Sequence, residues 1–201
     1  NSTYERLWKV KWEAEQKEAY WRLVVGGFSG FSMHRGQQRK CPCGATMRTD
    51  RDHHFGSCTV ANTLRVHIQD TAALANEEDD LLDLIVLREH LWLTTKPHHT
   101  IEQAVWDVVC MEATSAMDYG RRLLYAARNE QGVIDGNAVM ARIKSQVIAD
   151  FWSRLQSYVC LGAKPRGWDR VSPGHPWIER RADGSMKLNR PRSVIMEEEV
   201  E

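Results

Sequence analysis

The chain has 201 residues, room for one medium domain or two small ones sharing a core. Its 27 basic and 27 acidic side chains cancel, which excludes a uniformly basic histone-like chain and a uniformly acidic tail protein. No apolar run reaches the ~18 residues that a spanning helix needs, so the sequence predicts no integral membrane protein.

The zero total conceals a pattern. Residues 1–66 carry 11 basic and 6 acidic groups, residues 67–112 carry 2 and 10, and residues 163–195 carry 8 and 3. Two basic regions flank an acidic middle, as in a bipolar surface whose basic side meets phosphate, or in solvated faces that pair with one another. The start, Asn1-Ser2-Thr3-Tyr4, has neither an initiator Met nor a signal-peptide pattern, and predicts a fragment or a domain cut from a longer chain.

In chain order, residues 1–38 predict an N-terminal helix over Tyr4–Val25, stopped by Gly26-Gly27, and then a basic linker. Residues 39–66 form a compact cysteine and histidine module, from which a helix runs over 59–74 on Val60, Leu64 and Ile68. Residues 67–162 predict a helical bundle. One helix over 80–93 follows the acidic run Glu77-Glu78-Asp79-Asp80, where negative charge suits a helix N-terminus. Another spans 100–126, opened by the capping-box pattern Thr100-x-x-Gln103, and a last one spans 137–161 on Ile143, Val147, Phe151, Leu155 and Val159. Val105, Val109, Ala116, Val147, Phe151 and Leu155 are expected in one shared core. Residues 163–201 predict an extended basic tail with an acidic C-terminus, broken by Pro165, Pro173, Pro176 and Pro191. No clear strand run appears outside the cysteine module. The fold class expected is mainly α, a helical bundle with a small embedded finger of three cysteines and one histidine.

Five cysteines, three of them within positions 41–58, make a poor disulfide framework and point to a metal in a reducing compartment, nuclear or cytoplasmic. Cys41-Pro42-Cys43-Gly44, a polar stretch, and His53-His54-Phe55-Gly56-Ser57-Cys58 supply the ligand types that zinc takes in closed tetrahedral sites. Cys41, Cys43, His53 and Cys58 are the expected ligands, with His54 as the alternative to His53. A structural zinc follows, because four protein ligands leave no open position for catalysis. The competing reading is a Cys41–Cys43 redox pair, which leaves His53 and Cys58 unexplained.

These residues resemble the zinc-binding segment that follows the reverse transcriptase in non-LTR retroelement polyproteins. The likeness rests on Cys41-Pro42-Cys43-Gly44, Asp52-His53-His54-Phe55 and Cys58, preceded by Tyr20-Trp21-Arg22-Leu23-Val24-Val25-Gly26-Gly27-Phe28. It covers about residues 7–66, and alignment on Phe55 puts the family's ligand histidine at His53. Two departures are the single residue between Cys41 and Cys43, where two are common, and Thr59 where Pro is common. The resemblance implies a non-catalytic C-terminal region that positions template RNA or target DNA for an upstream polymerase. In agreement, the chain has no Tyr/Phe-x-Asp-Asp motif and no nuclease pattern, so it is not expected to be an enzyme.

Basic residues around the module, Arg35, Arg39, Lys40, Arg48 and Arg51, are the expected phosphate contacts, joined by an arginine fork at Arg121 and Arg122. The duller reading of that fork is pairing with acidic groups or with the helix dipole. Trp8, Trp12 and Trp21 read mostly as core or linker packing. Trp168 and Trp177 among tail cations suit single-stranded nucleic acid or a groove on a partner protein. Cys110 and Cys160, on helices, read as small buried hydrophobes. The alternative function is a helical interaction or scaffold protein whose finger is only structural.

Overall fold

Apolar residues at spacings of three and four dictate helices, and helices dominate the computed structural model. It describes residues 5, 8–10, 14–25, 41–44, 53–73, 96, 101–130, 134, 136–160, 171 and 175–189. Among the described residues the long helices are α1 (Ala14–Val25), α2 (Thr59–Ala73), α3 (Gln103–Ala127) and α4 (Asn137–Cys160), with a π-helical turn at His53–Ser57 before α2. The helix expected over 80–93 lies outside the described residues. Among the described residues no helix is long and apolar enough to cross a membrane.

The chain forms two compact units that are discontinuous in sequence. One takes residues 13–65 and 111–151. Its core is built from Tyr20 and Leu23 of α1, Val60 and Leu64 of α2, Ala116 and Leu124 of α3, and Ile143, Val147 and Phe151 of α4, all buried. A Cβ added to Gly120 of α3 would lie 2.5 Å from Val147 Cγ2 and 2.7 Å from Val60 Cγ1. The absence of a side chain there lets α2 and α4 approach α3 closely.

The other unit takes residues 1–12, 66–110 and 152–201. Its buried residues include Ile68 and Ala72 of α2, Ile101 just before α3, Val105, Trp106 and Val109 of α3, and Trp152, Leu155 and Tyr158 of α4. The six expected core positions are all buried, but three belong to each unit and not to one shared core. α3 is buried on every side from Val105 to Met117, broader than the single stripe that its spacing predicted. It begins at Gln103, and the carbonyl of Glu102 accepts from the amides of Val105 and Trp106. Gln103 is therefore the first helical residue and not the third, as a capping box on Thr100 would require; its side-chain Nε2 donates to Asp107 Oδ1 at 2.9 Å.

The expected helix over Tyr4–Val25 is interrupted. Glu5 and Trp8 are helical and the amide of Lys9 donates to the carbonyl of Glu5, but the chain bends at Val10, which is buried, before α1 at Ala14–Val25. Trp21, off the face of Ala19, Tyr20 and Leu23, is 41 % exposed, and Trp8 is 57 % exposed, so neither is core. Cys110 is buried, whereas Cys160 at the end of α4 is exposed and its Sγ accepts from the side-chain Nε2 of Gln156.

The tail also departs from expectation. Ile178–Arg180 (β1) and Met186–Leu188 (β2) pair antiparallel, with Ile178 opposite Leu188 and Arg180 opposite Met186. Gly184, at φ +79°, donates to the carbonyl of Arg181, and Arg181 donates to the carbonyl of Ser185. This is a three-residue hairpin loop with glycine in the left-handed position. A lone two-stranded hairpin is marginal in water, so packing must hold it. Trp177 supplies that packing. It is buried, stacks on Trp106 with ring centroids 6.2 Å apart, and donates its indole N–H to Thr71 Oγ1 at 3.0 Å. A buried, hydrogen-bonded indole offers no face for base stacking, which corrects the reading of Trp177. Trp168 lies outside the described residues.

Candidate metal centre

Two short elements bring four ligand-type side chains together. Cys41-Pro42-Cys43-Gly44 is a tight turn in which the amide of Gly44 donates to the carbonyl of Cys41 at 3.2 Å. Proline in the second position pre-sets the turn, and Gly44, at φ +84°, takes a backbone conformation that other residues resist. The carbonyl of Pro42 accepts from the amide of Ile134 at 3.3 Å, anchoring the turn.

The second element is the π-turn His53–Ser57, closed by the amide of Cys58 donating to the carbonyl of His53 at 2.7 Å. In an α-helix, residues five apart lie about 140° apart around the axis. Closure over five residues instead brings His53 and Cys58 onto one side. An α-helical turn would have put His54, four residues from Cys58, there. The backbone thus distinguishes the two histidines. His53 joins the cluster, and His54 is buried against Phe55, ring edge to face at 6.0 Å. Cys58 then caps α2, its carbonyl accepting from the amide of Asn62 at 2.8 Å. A thiolate there is favoured by the positive end of the helix.

The ligand atoms of Cys41, Cys43, His53 and Cys58 all lie within 4.8 Å of one another. A tetrahedral ion with bonds of ~2.3 Å to sulfur and ~2.0 Å to nitrogen needs sulfurs about 3.8 Å apart and a sulfur–nitrogen edge of about 3.5 Å. Cys41 Sγ and Cys58 Sγ are 4.0 Å apart, and Cys43 Sγ and His53 Nε2 are 3.5 Å apart. The sulfurs are far beyond the ~2.05 Å of a disulfide, and all five cysteines are free.

Without a cation these groups perturb one another. The Cys41 thiol is held far above its ordinary range by hydrogen bonding to Cys43 first, then to Cys58, and by burial. His53 is pushed up to about 10 by hydrogen bonds to Cys43 and Cys58, against the opposing effect of burial. Burial disfavours separated thiolates, and a bound divalent cation reverses that preference. The four residues can hold a metal ion. Three thiolates and an imidazole suit a soft or borderline ion rather than magnesium or calcium.

Arg35, Arg39, Lys40, Arg48 and Arg51 lie outside the described residues. Arg121 and Arg122 lie on α3, but Asp118 accepts from Arg121 Nε at 3.1 Å and pairs with its guanidinium at 2.9 Å. The Arg121 side chain is only 13 % exposed, while Arg122, 63 % exposed, has its Nε 3.8 Å from Asp118 Oδ2. Arg65, the cation next along the chain on α2, is buried and donates to Asn62 Oδ1 at 2.6 Å. Ser57, which the sequence did not single out, places its Oγ 3.2 Å from His53 Nδ1.

No protein family matches the chain, nor does any curated protein or solved structure.

Proposed function

We propose that the chain is a zinc-binding, nucleic-acid-binding region with no catalytic activity of its own. It would belong to the C-terminal part of a retroelement reverse-transcriptase polyprotein, nuclear or cytoplasmic, where it positions template RNA or target DNA. The observation that carries the proposal is the cluster of Cys41, Cys43, His53 and Cys58, whose separations suit one tetrahedral ion. Zinc is the ion of choice for three thiolates and an imidazole, and it completes the fold of modules too small to build a core. The sequence supports the nucleic-acid part through the cations at 35, 39, 40, 48 and 51 around the ligands, and through the motif resemblance. In this mechanism the metal stiffens the loops, and the loop cations meet phosphates. The partner is the upstream polymerase region of the same polyprotein, or another protein.

The test is binding of the full chain to RNA and DNA across a salt series. Each phosphate contact releases counterions, so log affinity falls against log salt with a slope of about −0.7 to −0.9 per contact. Replacing Arg39 and Lys40 by Ala should weaken binding across sequences and flatten that slope. Equal binding by wild type and double variant at low salt favours the second reading, a helical scaffold whose finger is only structural. The internal commitments of Arg121 to Asp118 and of Arg65 to Asn62 favour that second reading.

A further inference from the structure

Ser57 closes the π-turn one residue before Cys58 and four residues after His53. Its Oγ lies 3.2 Å from Nδ1 of His53, while Nε2 of the same ring lies 3.5 Å from Cys43 Sγ, inside the cluster. The two ring nitrogens thus have different duties. An imidazole that gives the Nε2 lone pair to a metal carries its proton on Nδ1, and that proton needs an acceptor to fix tautomer and ring rotation. A carboxylate or a backbone carbonyl commonly fills this place in metal sites; here a hydroxyl stands in it. The π-turn that draws His53 towards Cys58 also sets Ser57 beside the outer edge of the ring.

We infer that Ser57 is a positioning residue of the metal centre: its hydroxyl oxygen accepts the Nδ1–H of His53 and so selects Nε2 as the ligating atom. This rests on the metal reading given above. Ser57 is exposed, so removing its hydroxyl leaves no cavity in the core. The loss falls on the orientation of the ring. Outer-shell partners of this kind typically set metal affinity by about 10- to 100-fold.

The experiment uses the full-length chain and cobalt(II) as the probe, with zinc(II) in competition. Wild type, Ser57→Ala and Ser57→Thr are compared by affinity, by the visible ligand-field spectrum and by circular dichroism. Ser57→Ala should bind cobalt about 10- to 100-fold more weakly, with shifted bands and unchanged helix content, and Ser57→Thr should restore both. Wild-type affinity and spectrum in Ser57→Ala, or an equal loss in Ser57→Thr, overturns the inference and leaves the metal centre standing. If wild type takes up neither cobalt nor zinc, the metal centre itself fails, and the role of Ser57 fails with it.

Discussion

The indole N–H of Trp152 donates to Nε2 of His67 across 2.8 Å, joining α4 to α2 between residues 85 apart in sequence. The bond requires His67 to be unprotonated at Nε2, and burial holds its imidazole below the ordinary range, against the opposing charge of Asp70. His175 has the same duty in the same unit. Its Nδ1 accepts the amides of Trp177 and Ile178, each at 3.2 Å, at the start of β1. A half-buried and a buried histidine thus serve as hydrogen-bond acceptors.

Acid should therefore loosen this unit. Burial lowers His175 from 6.5 to about 4, so between these values the unfolded chain binds a proton that the folded chain refuses. The stabilisation is whole above pH 6.5 and is lost as pH falls towards 4. Its size is about 3 kcal/mol at one pKa unit per ~1.4 kcal/mol. Chemical denaturation at a series of pH values should show stability falling over this window. His175→Asn, which keeps an acceptor oxygen near the place of Nδ1 without titrating, should remove most of the slope; an unchanged slope would contradict the role of His175.

Gly120 is a steric requirement. In Gly120→Ala the new methyl meets Val147 Cγ2 and Val60 Cγ1 well inside van der Waals contact, so helices must shift. Overpacking of this kind costs about 1–3 kcal/mol. Adding Val147→Ala should recover part of the loss, a coupling that a double-mutant cycle measures directly. Additive losses would mean that the two positions do not meet.

Thr71 and Trp177 make a second testable pair. Thr71→Val keeps the side-chain shape and leaves the buried indole N–H without this acceptor, at a cost of about 1–3 kcal/mol. Trp177→Ala removes the stack on Trp106 as well and should cost about 3–5 kcal/mol. Equilibrium unfolding reads both. A Trp177→Ala chain as stable as wild type would return this tryptophan to the surface.

The helices were legible because their apolar residues repeat over many turns: Ile143, Val147, Phe151, Leu155 and Val159 gave α4 almost to the residue. The hairpin was not, since strands of three residues are too short to show a period. The one signal is Asp183-Gly184, a turn pair between Ile178 and Leu188, set in a proline-broken tail. Trp177 is hard to place for a related reason: Arg180 and Arg181 follow it closely in sequence, while its neighbours in space are Trp106 and Thr71. The ligand types at 41, 43 and 58 were plain from composition. The choice between His53 and His54 depended on whether the turn closes over four residues or five, which residue types alone do not reveal.

Whether Cys41, Cys43, His53 and Cys58 hold one metal ion is decided by the metal content of the protein. Elemental analysis of the purified full-length chain, wild type beside Cys43→Ser, tests it most directly. The wild type should carry about one zinc per chain, and Cys43→Ser should release it and loosen the turn and the start of α2. Zinc-free wild-type protein that takes up no metal on reconstitution under reducing conditions, or full zinc retention by Cys43→Ser, would contradict the account.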